Sequence, residues 1–164
     1  MSYAVPTQKI AVDLFFSRPD REPRRGELFV SDPRRSSRAL IDLLEGEVAF
    51  LPFLDNTERA ITLVNRDELL RVTPLLIPLE REGSPAAAMI ERRQHARLEL
   101  RDGSTLEGEL WFSPPAGRSR LSDHLNEPSR FLQFHCSDRL HFVQKAHVAR
   151  VLEIAAPVRA HLVP

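Results

Sequence analysis

Cysteine, lysine and long apolar runs are scarce in this chain of 164 residues. Cys136 is its one cysteine, which excludes an intrachain disulfide. No apolar run approaches the roughly 18 residues of a membrane span, and residues 1–12 lack the basic start and apolar core of a secretory signal. We therefore expect a soluble, cytoplasmic protein that contains one ordinary domain or two small ones.

An excess of charge is also lacking, because 23 Lys and Arg residues balance 23 Asp and Glu residues. Proteins that bind nucleic acid non-specifically usually carry a basic excess that neutralises phosphates, so the total charge does not favour that class. Lys9 and Lys145 are the only lysines, and arginine supplies the other basic side chains. The planar guanidinium suits carboxylate and phosphate, but a GC-rich genome also favours arginine codons.

What the sequence does contain is an internal repeat. The segment GELFVS at 26–31 matches GELWFS at 108–113, a shift of 82 positions. The pairs that follow at the same shift are Pro33 and Pro115, Arg38 and Arg120, Leu43 and Leu125, and Glu45 and Glu127. Residues 64–66 match 143–145 at a shift of 79. The conserved order of the matches indicates two copies, with one short deletion in the second copy between about 133 and 142.

The pattern within each copy is mainly β. Apolar and polar residues alternate at 96–100, and the Asp102-Gly103 pair is a strong hairpin signal before a return strand at 105–112. The other strands predicted in the second copy are 131–136, 140–143 and 148–154, with a short helix at 121–126. The strands predicted in the first copy are 10–16, 27–31, 49–54, 60–64 and 69–72, with a helical turn at 39–44.

The domain boundaries follow from the repeat. We predict a first β repeat at 1–79, a linker at 80–91 that includes part of a short helix (86–93), and a second β repeat at 92–164. A small unit buries too little core to be stable alone. We therefore expect the copies to pack face to face or side by side, with the apolar segments 75–77 and 158–163 covering the interface.

Five short strands with a bend after the second resemble the small Sm-like and SH3-like barrels. Residues 145–151 resemble the second Sm motif, and residues 98–110, with Gly103 and Gly108, resemble the first. The resemblance implies two tandem five-stranded barrels, each with a short helical turn after the second strand, and RNA binding near Lys145 and His147. The helical segment departs from the Sm pattern; residues 120–126 also resemble a motif of bacterial domains that implies no function.

Residues 91–97 resemble the Arg-x-x-x-Arg opening of PilZ domains, which bind cyclic di-GMP. The resemblance implies that Arg93 and Arg97, beside Arg92, grip phosphate or guanine from a position directly before a strand. The second motif of that family is incomplete, because Trp111 and Ala116 replace its acidic residue and its glycine. The alternative interpretation is a solvated basic end of a helix.

No motif in the sequence predicts an enzyme. Residues 122–124 have the side chains of a hydrolase triad, but triad members must approach from separate segments. His135 and Cys136 point to opposite faces of a strand and cannot easily share a metal with His141. We therefore predict no catalytic residue, no metal and no cofactor.

Arg38 and Arg120 occupy equivalent positions in the two copies. Either they form a pair of anion sites, or each makes a buried salt bridge near its own helical turn, Arg38 with Asp42 or Glu45 and Arg120 with Asp123 or Glu127. The function that we predict is a non-enzymatic binding or adaptor protein whose partner is another protein. The alternatives are cyclic di-GMP sensing and RNA binding, and oligomer formation is left open.

Overall fold

The computed structural model describes residues 8–31, 36–75, 92–114, 117–118 and 120–155. The strands of the first half are β1 (Gln8–Phe16), β2 (Arg24–Val30), β3 (Phe50–Asp55), β4 (Ala60–Asn65) and β5 (Leu69–Pro74), with helix α1 (Ser36–Glu45). Those of the second half are β6 (Arg92–Leu100), β7 (Thr105–Phe112), β8 (Phe131–Cys136), β9 (Arg139–Gln144) and β10 (Val148–Glu153), with helix α2 (Leu121–Leu125). The prediction of a mainly β fold is confirmed.

All ten strands belong to one antiparallel sheet in the order β10-β6-β7-β8-β9-β5-β1-β2-β3-β4. Each half has the same internal order, and β5 of the first half pairs with β9 of the second. The halves therefore meet edge to edge, which is the side-by-side arrangement and not the face-to-face one that the sequence also left open. Within the described residues the sheet is open, with β4 and β10 at its two edges, and the two closed barrels are not confirmed.

The sequence also predicts structure for the connection between the halves. Arg92 and Arg93 belong to β6, so the helix predicted over 86–93 does not extend to them. Residues 76–91 and 158–163, which carry the predicted linker and most of the predicted interface cover, lie outside the described residues.

The connections between the third and fourth strands differ in length between the halves. Residues 56–59 join β3 to β4, whereas Ser137 and Asp138 alone join β8 to β9. Ser137 and Asp138 both have positive φ, 52° and 59°, as a two-residue hairpin turn of this twist requires. The second half is therefore shorter at the place where the sequence alignment predicts a deletion.

The hydrophobic cores of the two halves share side chains. One cluster surrounds Leu14 and Leu40 of the first half and also contains Phe131, Leu140 and Phe142 of the second. The other surrounds residues of the second half and contains Leu70 of the first. A bulge leaves Leu70 without a partner on β1, since Phe15 faces Arg71 and Phe16 faces Leu69. The apolar side chains exchanged across β5 and β9 therefore bind the halves together.

We call the contact between the two halves the joint. On the first half it comprises α1, β5 and the turn before β5, and on the second half β8, β9 and the turn after β9. Polar contacts reinforce this joint. The Glu45 carboxylate accepts the backbone amides of Arg130 and Phe131 at 2.8–2.9 Å. His147 Nε2 donates to the Asp67 carbonyl at 2.6 Å. Thr73 Oγ1 lies 2.8 Å from His141 Nδ1, and both residues are buried.

The buried His141 should make stability depend on pH. Burial, with the nearby Arg71 guanidinium, lowers the pKa of His141 to about 4. In the unfolded chain the histidine has a pKa near 6.5, so as the pH falls it is protonated before the folded protein is. The stability that neutral His141 contributes is therefore fully present above pH 6.5 and is lost as the pH falls toward 4. We expect the melting temperature to fall more steeply over this range in the wild type than in His141→Gln. Parallel pH profiles would contradict this.

Candidate protein-binding edge

The arginines that resemble the PilZ motif lie within β6. The guanidinium of Arg93 is 4.1 Å from the centre of the Trp111 ring, and Arg97 forms an ion pair with Glu107 at 3.1 Å. Because β6 begins at Arg92, the expected position directly before a strand is wrong. The structure thus places both arginines in contacts with β7, and their role in ligand binding stays a prediction.

The matched arginines of the two halves lie at the helices. Arg38 forms an ion pair with Asp42 at 3.2 Å, one turn along α1, but both side chains are exposed, so the salt bridge is not the buried one that the local interpretation predicts. Arg120 precedes α2, and its backbone amide donates to Asp123 Oδ2 at 3.3 Å. The Asp123 carboxylate therefore caps the start of α2 through the backbone of Arg120.

Lys145 and His147 share the single helical turn between β9 and β10, at the joint between the halves. Lys145 Nζ donates to the Glu127 carbonyl at 2.7 Å, and burial lowers the pKa of its ammonium group. His147 donates to Asp67, as described above. Both side chains of the predicted RNA site thus make contacts that hold this turn.

Two other histidines act as flat packing groups. His135 stacks on Trp111 with a centroid distance of 3.7 Å, and His124 stacks on Phe112 at 4.5 Å. Burial lowers the pKa of both imidazoles, that of His135 to about 4. Among the residues that the structure describes, no group of three or more His, Cys, Asp and Glu side chains is placed to hold a metal ion.

The exposed apolar surface is concentrated at the β4 edge of the sheet. The large hydrophobic side chains that stand out into solvent among the described residues are Val48, Phe50, Ile61 and Leu63. All four lie on β3, on β4 or immediately before β3. We call this set the β4-edge patch. A strand edge that is apolar and carries no charge is the kind of edge that soluble proteins usually protect.

In the part of the chain that the structure describes, the outer side of the β4 backbone has no neighbouring strand to accept or donate its hydrogen bonds. The Arg66 amide donates to the Ala49 carbonyl, so the N–H of Arg66 points toward the chain of β3. Because successive N–H groups of a strand point in opposite directions, every second residue before Arg66 also points toward β3. Ile61 and Leu63 therefore turn their N–H and C=O groups away from β3. Leu63 lies opposite Pro52 on β3. Because proline has no backbone N–H, Pro52 cannot donate a hydrogen bond to Leu63.

An open cleft of about 620 Å³ adjoins the patch. Phe50 and Leu63 contribute to its lining, together with the loop that joins β1 to β2. Its rim holds ion pairs, such as Arg24 with Glu58 at 3.6 Å. Apolar side chains surrounded by a polar rim are a common arrangement at protein-binding surfaces.

The sequence motifs do not point to this patch, because they consist of charged residues. A signal was nevertheless present in the segment AITLVN at 60–65. Ile61 and Leu63 lie on one face of this strand and Val64 on the other, and no residue of the segment is charged. Apolar residues on both faces are typical of a strand that is covered on both sides.

No protein-family model, curated protein or solved structure gives a significant match to this chain. In the part of the chain that the structure describes, neither helix is long and apolar enough to cross a membrane.

Proposed function

We propose that this chain is a non-enzymatic binding protein that contacts other polypeptides through the β4 edge of its sheet. The observation that carries the proposal is the coincidence of the β4-edge patch with the outward N–H and C=O groups of Ile61 and Leu63. An extended segment of a partner can pair with such an edge, and its alternate side chains can cover the apolar ones.

The proposal extends to the architecture and the location of the protein. We propose that each half is a small unit of the Sm-like or SH3-like type, which the shared strand order supports. We place the protein in the cytoplasm, where a single cysteine such as Cys136 stays reduced.

Peptide selection tests the binding role. A displayed library of random peptides of about ten residues, longer than an average strand, is selected on the immobilised protein. We expect enrichment of peptides in which apolar and polar residues alternate. Replacing Leu63 by proline removes an outward amide while leaving the bonds to β3 in place, because proline is tolerated on an edge strand. We expect this variant to bind the peptides at least ~10-fold more weakly.

A matched control keeps the comparison specific. Thr57 lies in the exposed turn between β3 and β4, so Thr57→Lys should bind like the wild type. Circular dichroism should show the same strand content in all three proteins. Failure of the monomeric protein to enrich any peptide, or equal affinity of wild type and Leu63→Pro, would overturn the proposal.

A further inference from the structure

At the joint between the halves, the edge of one half is covered by a strand of the other half. At this joint Phe142 of β9 faces Val72 of β5, and Val143 faces Arg71. Strand β9 has the same place in its half that β4 has in the first half, and β10 corresponds to β5 in the same way. Among the described residues the sheet therefore ends in two strands, β4 and β10, that each pair with one neighbour only, whereas their counterparts β9 and β5 pair with each other.

Burial at equivalent positions shows what the missing neighbour would do. In the second half Phe131, Leu140 and Phe142 are 8%, 9% and 1% exposed, because the first half covers them. Their counterparts by register in the first half are Phe50, Ile61 and Leu63. These are 53%, 63% and 67% exposed. Three of the four side chains of the patch thus lie at positions that the joint buries in the other half.

The opposite edge shows the same difference. Leu69, Val72 and Thr73 of β5 are buried at the joint, whereas their counterparts Val148, Val151 and Leu152 on β10 are only half-buried. The bulge is also reproduced, since Val148 faces Leu100 and Arg150 faces Glu99, which leaves Ala149 unpaired. Ala149 is exposed where its counterpart Leu70 enters the core of the neighbouring half.

We propose that the occupant of the β4 edge is strand β10 of a second copy of this chain, paired antiparallel as β5 pairs with β9. Transfer of the register of the joint places Leu63 of one molecule opposite Val151 of the next, and Val64 opposite Arg150. The pairing is head to tail, so each copy still has a free edge, and successive copies form a closed ring or an open filament. This inference rests on the proposed binding role of the β4 edge.

The mass of the protein in solution tests the association. We expect light scattering to give multiples of the 18.7 kDa chain, with dissociation only below micromolar concentration. Leu63→Lys places a charge in the apolar contact and should give a monomer, whereas Thr57→Lys, with the same charge in the nearby turn, should keep the wild-type mass. A wild type that stays monomeric up to about 1 mM would overturn the inference, and so would an assembly that Leu63→Lys leaves intact.

Disulfide trapping tests the direction of pairing. Two proteins are prepared with Cys136→Ser, one with Leu63→Cys and the other with Val151→Cys. Facing residues of antiparallel strands have Cα atoms roughly 4.5–5.5 Å apart, which suits a disulfide. We expect the mixture to form the crosslinked heterodimer under mild oxidation. A homodimer of the Leu63→Cys protein as the main product would show that two β4 edges pair with each other, which overturns the head-to-tail arrangement.

Failure of self-pairing can be told apart from failure of the binding role. The peptide selection is repeated on Ala149→Lys, which alters the β10 edge and leaves β4 unchanged. Enriched peptides together with a monomeric wild type would overturn self-pairing and leave the binding role standing. No enriched peptides together with a monomeric wild type would overturn both.

Discussion

Replacing Gly108 by alanine should lower the free energy of unfolding by at least about 3 kcal/mol. A Cβ on Gly108 would overlap the His135 carbonyl oxygen and would lie 3.2 Å from the Cα of Cys136. These are backbone atoms of β8, so no side-chain rotation can make room. Denaturant titration measures the effect, which is a large part of the 5–15 kcal/mol typical of folded proteins.

The same argument applies at the matched position of the first half. A Cβ on Gly26 would overlap the Leu54 carbonyl oxygen, so Gly26→Ala should be similarly destabilising. Gly46→Ala is the comparison, because its nearest contact is 3.2 Å, to the Asp42 carbonyl oxygen. The loss of unfolded-chain entropy offsets so mild a contact, and we expect a change below about 1 kcal/mol. An unchanged stability of Gly108→Ala would contradict the close approach of β7 and β8.

Replacing Glu45 by alanine should cost about 2 kcal/mol, because two backbone amides of the second half lose a charged acceptor. The Glu45 carboxylate reaches from the end of α1 to the amides of Arg130 and Phe131. This contact is a direct polar link between α1 and β8. The free energy of unfolding, again by denaturant titration, reports the loss.

Two comparisons separate the role of the carboxylate from a general effect of the substitution. Glu45→Gln keeps one acceptor oxygen in place, and we expect roughly half the loss. Glu47→Ala removes the same charge at an exposed position two residues further on and should be nearly neutral. Equal stability of Glu45→Ala and Glu47→Ala would show that the carboxylate does not stabilise the joint.

The strands and helices could be predicted from the sequence because their signals are local. Alternation of apolar and polar residues located β6 and β7, and the Asp102-Gly103 pair marked their turn. The joint could not be predicted in this way, since it pairs strands that are about seventy residues apart. The sequence carries only an indirect sign of it, because Leu140, Phe142 and Val143 make β9 apolar on both faces, which is typical of a central strand.

The site predictions relied on basic residues, and this is why they missed the patch. Arg38 and Arg97 have acidic partners on the same helix or the adjacent strand, Asp42 and Glu107. The Arg38–Asp42 pair is local and is among the predicted alternatives, whereas the Arg97–Glu107 pair depends on the register of neighbouring strands, which short motifs do not reveal. The position of β4 at an edge of the sheet likewise depends on the order of strands, which the sequence does not specify. The predictions of cyclic di-GMP and RNA binding therefore stay predictions.

The exchange of side chains across the joint has a consequence for cooperativity. Phe142 completes the core of the first half, and Leu70 completes that of the second. If either half melted, the other would lose part of its interior and expose apolar surface, at about 25 cal/mol per Å². We therefore expect the chain to unfold as one thermodynamic unit, in which neither repeat folds independently of the other.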